Sequence, residues 1–91
     1  MALNNKLIKI LSYNINGIRA ALRKNLLEWL KDYNPDIVCF QEIKANEDQF
    51  DKSKFTDLGY HSYVFGQKSY NGVAIISKKK LENVSTDIIK D

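Results

Sequence analysis

The sequence holds a single cysteine, so it can form neither an intrachain disulfide nor a cysteine-based zinc site. Cys39 lies in the apolar run Ile37-Val38-Cys39-Phe40, where a buried, inert thiol is expected. There is one proline, and no low-complexity tract, internal repeat or Pro/Gly/Ser-rich linker, which argues against a domain boundary. No apolar stretch approaches the length that crosses a bilayer. Met1-Ala2-Leu3-Asn4-Asn5-Lys6 has no apolar core of signal-peptide length, so a cytoplasmic protein without a membrane partner is expected. Charge of one sign is also scarce: 14 Lys and Arg against 11 Asp and Glu leave +3. That balance permits a polyanionic partner such as DNA without naming one.

What is present is a globular pattern. At 91 residues and 44% hydrophobic content the chain fits one small domain, which buries only about two-thirds of its unfolded surface. Residues 7–13 are mostly large and apolar and predict a mostly buried strand ending at Asn14-Ile15-Asn16-Gly17. Ile18, Leu22, Leu26, Leu30 and Tyr33 then recur every three or four residues, with Trp29 beside them, as the core stripe of an amphipathic helix. Asn25 followed by Glu28 resembles an N-terminal cap, which divides the stripe into a short turn at 20–24 and a main helix at 26–33.

Asn34-Pro35 stops that helix, because proline disfavours right-handed helical dihedrals in the residue before it. Residues 36–40 predict a second buried strand closing at Gln41-Glu42. A strand, helix, strand unit joins parallel neighbours, so both carboxyl ends emerge at one sheet edge and bring Asn14 near Glu42. Asn46 with Gln49 marks a cap for a short surface helix. Residues 60–65 and 72–77 predict an antiparallel hairpin, and 81–91 an edge strand.

A carboxylate and a carboxamide at one rim are hard oxygen donors suited to Mg²⁺, which takes one or two protein carboxylates and completes its shell with water and phosphate oxygens. Two segments there carry a family resemblance. Ser12-Tyr13-Asn14-Ile15-Asn16-Gly17-Ile18-Arg19-Ala20 and Pro35-Asp36-Ile37-Val38-Cys39-Phe40-Gln41-Glu42-Ile43-Lys44 resemble the first two motifs of the exonuclease III and apurinic/apyrimidinic endonuclease family. Tyr70-Asn71-Gly72-Val73-Ala74-Ile75-Ile76-Ser77 resembles that family's next strand.

The resemblance implies an α/β fold, one half of a four-layer sandwich with a mixed sheet and flanking helices, and makes residues 1–91 a single partial domain. It implies Mg²⁺-dependent (or Mn²⁺-dependent) phosphodiester hydrolysis on double-stranded DNA with abasic sites or 3′ ends. Glu42 would then be a metal ligand, with Asn14 ligating or orienting beside it. Asn16 stands where some members use Asp, which makes a direct metal role for it doubtful. Arg19, Lys24 and Tyr70 fall where relatives contact DNA, and Lys44 where it supports the carboxylate electrostatically. Arg19-Ala20 and Lys44 argue against a related phosphatase of the same superfamily.

The family's later catalytic Tyr, Asp-x-Asn and Asp-His segments have no counterpart here. Asp32-Tyr33-Asn34 matches one by letter but closes a helix, and His61 lies in a predicted strand outside the required context. The isolated chain is therefore expected to be inactive. An alternative is a non-catalytic DNA-binding or self-associating half-domain, as a homodimer or with a complementary second half. Lys78-Lys79-Lys80 predicts a solvated turn.

Overall fold

The computed structural model describes residues 8–65 and 72–81. Strand β1 (Ile10–Asn14) leads through helix α1 (Ile18–Arg23) and helix α2 (Leu26–Tyr33) to strand β2 (Ile37–Gln41). A single 3₁₀ turn (Glu47–Gln49), helix α3 (Lys52–Thr56), strand β3 (His61–Phe65) and strand β4 (Val73–Ser77) follow. The strands form one mixed sheet in the order β1-β2-β4-β3. As expected, β1 runs parallel to β2, and β3 pairs antiparallel with β4. It is β4 that reaches β2, antiparallel, with Gln41 opposite Val73.

Side chains alternate across a strand, so the register sorts the sheet into two faces. One face carries Val38 and Phe40 of β2 with Ala74 and Ile76 of β4, all fully buried. Leu26 and Leu30 from α2, Ile18 from α1 and Phe55 from α3 close over it in one hydrophobic cluster. Phe55 stacks on Phe50 and meets Phe40 at 6.1 Å between ring centroids. The other face carries Ile37, Cys39 and Gln41 beside Val73 and Ile75, and of these Gln41 is exposed and the rest partly exposed.

Several expectations are corrected. Strand β1 is exposed rather than buried, with Ile10 65% accessible, because among the described residues it borders the sheet and has β2 alone as a neighbour. Only its Leu11 packs against the core. Cys39 is partly buried, on the open face, and burial raises its thiol pKa. Asn25 does not cap α2 with its side chain; it adopts left-handed dihedrals (φ 69°), a conformation asparagine tolerates better than most residues. Asn34 ends α2 the same way at φ 56°, so proline's exclusion of the right-handed helix is met by the left-handed alternative.

Other expectations hold. Asn46 and Gln49 form a reciprocal capping box, although the element they open is the 3₁₀ turn. Asp32-Tyr33-Asn34 is a helix terminus, and His61 is an exposed residue of β3. Lys79 and Lys80 are exposed, whereas Lys78 is partly buried, donates to the Asn34 side chain and lies over the Tyr60 ring. The edge strand expected at 81–91 falls, apart from Leu81, outside the described residues.

Candidate active site at the carboxyl edge of the sheet

The parallel register places Asn14 opposite Gln41, one residue before Glu42. From there the backbone of the two strand ends is tied together. Ile15 N–H donates to the Gln41 carbonyl at 3.1 Å, Gly17 N–H to the Glu42 carbonyl at 2.8 Å, and Ile18 N–H to the Ile43 carbonyl at 2.9 Å. Ile43 N–H in turn donates to the Gly72 carbonyl at 3.1 Å, which fastens the same loop to the start of β4. Ile43 and Ala45 are fully buried beneath it.

This lacing holds unusual backbone geometry. Glu42 and Lys44 both have φ 53°, in the left-handed region that costs L-residues with a Cβ about 1–2 kcal/mol each. Two such residues flanking an anchored Ile43 turn their side chains back over the strand end. Gly17 at φ 104° supplies the turn that receives them.

The side chains then form a chain of hydrogen bonds. The Asn14 amide Nδ2 donates to Glu42 Oε2. Asn14 Oδ1 accepts from the backbone N–H of Asn16 at 3.0 Å. These two partners fix the amide's orientation, since only its nitrogen can meet a carboxylate and only its oxygen can meet an N–H. Lys44 Nζ donates to Asn16 Oδ1 at 2.5 Å, and Arg19 Nη2 reaches the Lys44 carbonyl at 3.4 Å. Asn14, Asn16, Glu42 and Lys44 are thus brought together, as sequence spacing predicted, and Arg19, named only by the family resemblance, joins them.

Lys24 lies apart from this group, at the end of α1, on the wall of a neighbouring groove. Tyr70 falls outside the described residues. His61 pairs in register with Ser77, and Ser77 with Ile37, which puts it at the opposite edge of the sheet from Asn14. Among the described residues no three His, Cys, Asp or Glu side chains converge as a metal cage. Among the same residues Glu42 supplies the anionic oxygen at the rim, with Asn14 beside it, which fits a hydrated Mg²⁺ held by one protein carboxylate. No helix of the described residues is long and apolar enough to cross a membrane.

One feature at this end was missed by sequence reasoning. Trp29, assigned to the core, is 39% exposed and stacks in parallel on Tyr33 at 5.5 Å, with Tyr13 at 5.9 Å on a tilted plane. Tyr33, read as part of the core stripe, is likewise 44% exposed: it lies four residues from Trp29, and the two share a face that flanks the buried Leu26 and Leu30.

An α/β sheet with its polar groups gathered beyond the carboxyl ends of parallel strands is the arrangement in which such folds bind ligands. Residues 11–91 match the Endonuclease/Exonuclease/phosphatase family, and the chain belongs to it. Over 74 residues it is 40% identical to exodeoxyribonuclease III of Haemophilus influenzae, covering 80% of this chain and 27% of that protein. It is 38% identical to an exodeoxyribonuclease of Bacillus subtilis, over 80% of this chain and 29% of the relative. Among solved structures, an AP endonuclease from Archaeoglobus fulgidus superposes with a TM-score of 0.81 at 42% identity, covering 87% of this chain and 30% of that one. A 3′ phosphatase from Neisseria bound to a product DNA hairpin gives 0.80 at 33% identity, over 93% and 34%. The chain thus spans less than a third of the two curated relatives named here.

Proposed function

We propose that this chain carries the N-terminal part of a divalent-metal-dependent phosphodiesterase acting on DNA, with the apurinic/apyrimidinic endonuclease and 3′ to 5′ exonuclease activities of DNA repair. The observation that carries the reading is the Asn14 to Glu42 hydrogen bond across the ends of two parallel strands. Similarity to exodeoxyribonuclease III and to an AP endonuclease supports the substrate class. In this reading Glu42 holds Mg²⁺ or Mn²⁺. Asn14 keeps the carboxylate in place, because both ends of its own amide are already engaged. Bound there, the metal would polarise a phosphodiester and stabilise charge on the leaving oxygen.

Asn16 positions rather than ligates, since its oxygen is taken by Lys44. Arg19, Lys24 and Tyr70 supply contacts to the DNA backbone, which orient the duplex without reading sequence. A general base and the groups that hold the transition-state phosphate are contributed by segments other than those described, so the 91-residue chain alone binds without turnover.

The test is a pair of measurements on the purified chain. Abasic duplex DNA should bind at low salt, with affinity falling and the salt slope shrinking when Arg19 or Lys24 is changed to Ala. No Mg²⁺-dependent incision should accompany it. Absence of DNA binding would sink the reading, and turnover abolished by Glu42→Ala would confirm the site while overturning the claim of inactivity.

A second reading is favoured by one observation: the face of the sheet opposite the helices, with Ile37, Cys39 and Ile75, is partly exposed. In it this face and the bare β1 border pair with a second copy or a complementary half. A monomeric mass at high micromolar concentration contradicts self-association.

A further inference from the structure

The five exposed large hydrophobic residues of the described chain are Ile8, Ile10, Tyr13, Trp29 and Tyr33, all contributed by β1, the residues before it, and α2. Three are aromatic, with Trp29 in contact with both Tyr13 and Tyr33. Tyr33 lies parallel to Trp29 within 4°, braced in turn by Lys9 Nζ, which sits 4.8 Å from the Tyr33 ring centroid and donates to the Tyr33 carbonyl. The indole is therefore stacked on a braced partner. Trp29 and Tyr13 also line a groove of about 420 Å³, within the range of small-molecule sites.

The composition of that groove selects its occupant. Among the described residues that line it, the apolar ones are Ile15, Ala20, Ala21 and Leu26, the polar groups are Lys24, Asn16, Asn25 and the Tyr13 hydroxyl, and none is a carboxylate. One ammonium suits a phosphate, the Asn25 carboxamide and the amide nitrogen that Lys44 leaves to Asn16 suit the polar atoms of a base edge, and two aromatic rings suit a planar heterocycle. Asn16 belongs at once to this groove and to the hydrogen-bonded chain of Asn14, Glu42 and Lys44, so the two sites are continuous.

We propose that the groove is a subsite for a single unpaired nucleotide of a DNA strand, its base lying against Tyr13 and Trp29 and its phosphate at Lys24. The inference rests on the DNA reading of the neighbouring site and adds to it a preference for unpaired or frayed strand next to the point of chemistry. A paired base keeps both its faces inside the duplex stack and cannot enter, whereas any unpaired base presents a π-face, so the subsite tells pairing state and not sequence.

Trp29 is the chain's one tryptophan, which makes it an internal reporter. The 91-residue chain is titrated with a short oligothymidylate, with a fully paired duplex and with inorganic tripolyphosphate, following Trp29 fluorescence together with the anisotropy of labelled DNA. The expected result is a saturable fluorescence change with oligothymidylate only. Trp29→Leu and Tyr13→Leu should each weaken oligothymidylate binding by about tenfold, the loss of one stacked base. Duplex affinity should be unchanged, and Trp29→Phe should retain most of the single-strand affinity.

Oligothymidylate binding with no change at Trp29 overturns the subsite and leaves the DNA reading standing. An equal response to tripolyphosphate overturns it in favour of a simple anion site. A response to protein concentration alone, with a dimeric mass, overturns it in favour of a second copy of the chain. Failure of both DNA forms to bind overturns the subsite and the DNA reading together. The fluorescence of the unsubstituted chain decides the matter even if the leucine variants do not fold.

Discussion

Asn14 and Glu42, 28 positions apart, meet through a hydrogen bond from the Asn14 amide to the Glu42 carboxylate at the ends of β1 and β2. Neither strand alone specifies this contact. It follows from the parallel register that sets Asn14 opposite Gln41, and from the left-handed turn at Glu42 that folds the next side chain back.

That contact predicts how divalent-ion binding depends on each partner. Glu42→Gln should abolish Mn²⁺ binding to the chain, because the rim then offers no anionic oxygen. Asn14→Ala should weaken it by a smaller factor, on the order of tenfold, by releasing the carboxylate from its set position. Paramagnetic broadening of residues around Glu42 on Mn²⁺ addition measures both.

The left-handed backbone at Glu42 can be separated from its side chain. Glu42→Gly and Glu42→Ala remove the same carboxylate, but only glycine adopts φ 53° without penalty. The glycine variant should be more stable than the alanine variant by about 1 kcal/mol, as read from urea unfolding midpoints. Equal stabilities would show that the loop relaxes its dihedrals when the side chain is gone.

Tyr60 is buried and its hydroxyl donates to the Pro35 carbonyl at 2.6 Å, tying the start of β3 to the start of β2. Tyr60→Phe should cost about 1–3 kcal/mol by leaving that carbonyl unsatisfied. Burial, and then the Asp36 carboxylate, raise the phenol's pKa above its ordinary value of 10.0. The folded state therefore holds this proton more tightly than the unfolded one. Its contribution to stability is complete below pH 10.0 and is lost as pH rises through the folded value. Alkaline melting curves should show this loss in the parent and not in Tyr60→Phe.

At acid pH the sensitive element is the start of α3. Asp51 accepts from the Ser53 hydroxyl at 2.5 Å and from its backbone N–H at 3.1 Å, and these bonds hold its carboxyl below the ordinary 3.8. The side-chain bond is the largest cause; desolvation, next in size, opposes it, and the backbone bonds and Lys54 reinforce it. A lowered folded pKa means that the cap stabilises α3 above pH 3.8 and is lost as pH falls through the folded value. The Ser53 amide resonance should titrate there, and Asp51→Asn, which caps without titrating, should abolish that titration.

Cys39 gives a probe of the open sheet face. Burial raises its pKa above 9.0, so little thiolate exists at neutral pH. Reaction with a thiol reagent should be slow in the folded chain and speed up in urea. If the face pairs with another chain, labelling should slow further as protein concentration rises.

The sequence by itself determined the order and type of the strands and of the helices between β1 and β2, because apolar periodicity and the breaks at Asn16-Gly17 and Asn34-Pro35 are local properties of a chain. It expected one surface helix where a 3₁₀ turn and α3 follow, and α3 buries Phe55 in the core. It also determined that Asn14, Asn16, Glu42 and Lys44 share one rim, since a strand, helix, strand unit leaves little choice of edge. Only the tertiary structure decided which apolar residues are covered. Tyr13, Trp29 and Ile10 read as core because hydrophobicity says that a side chain prefers burial, not whether a neighbour exists to bury it. The insertion of β4 beside β2 was likewise decided by pairing between distant segments. The same pairing, through Ile43 and Gly72, fixes the left-handed turn at Glu42, since the cost of that backbone is met by hydrogen bonds to residues far away in the chain.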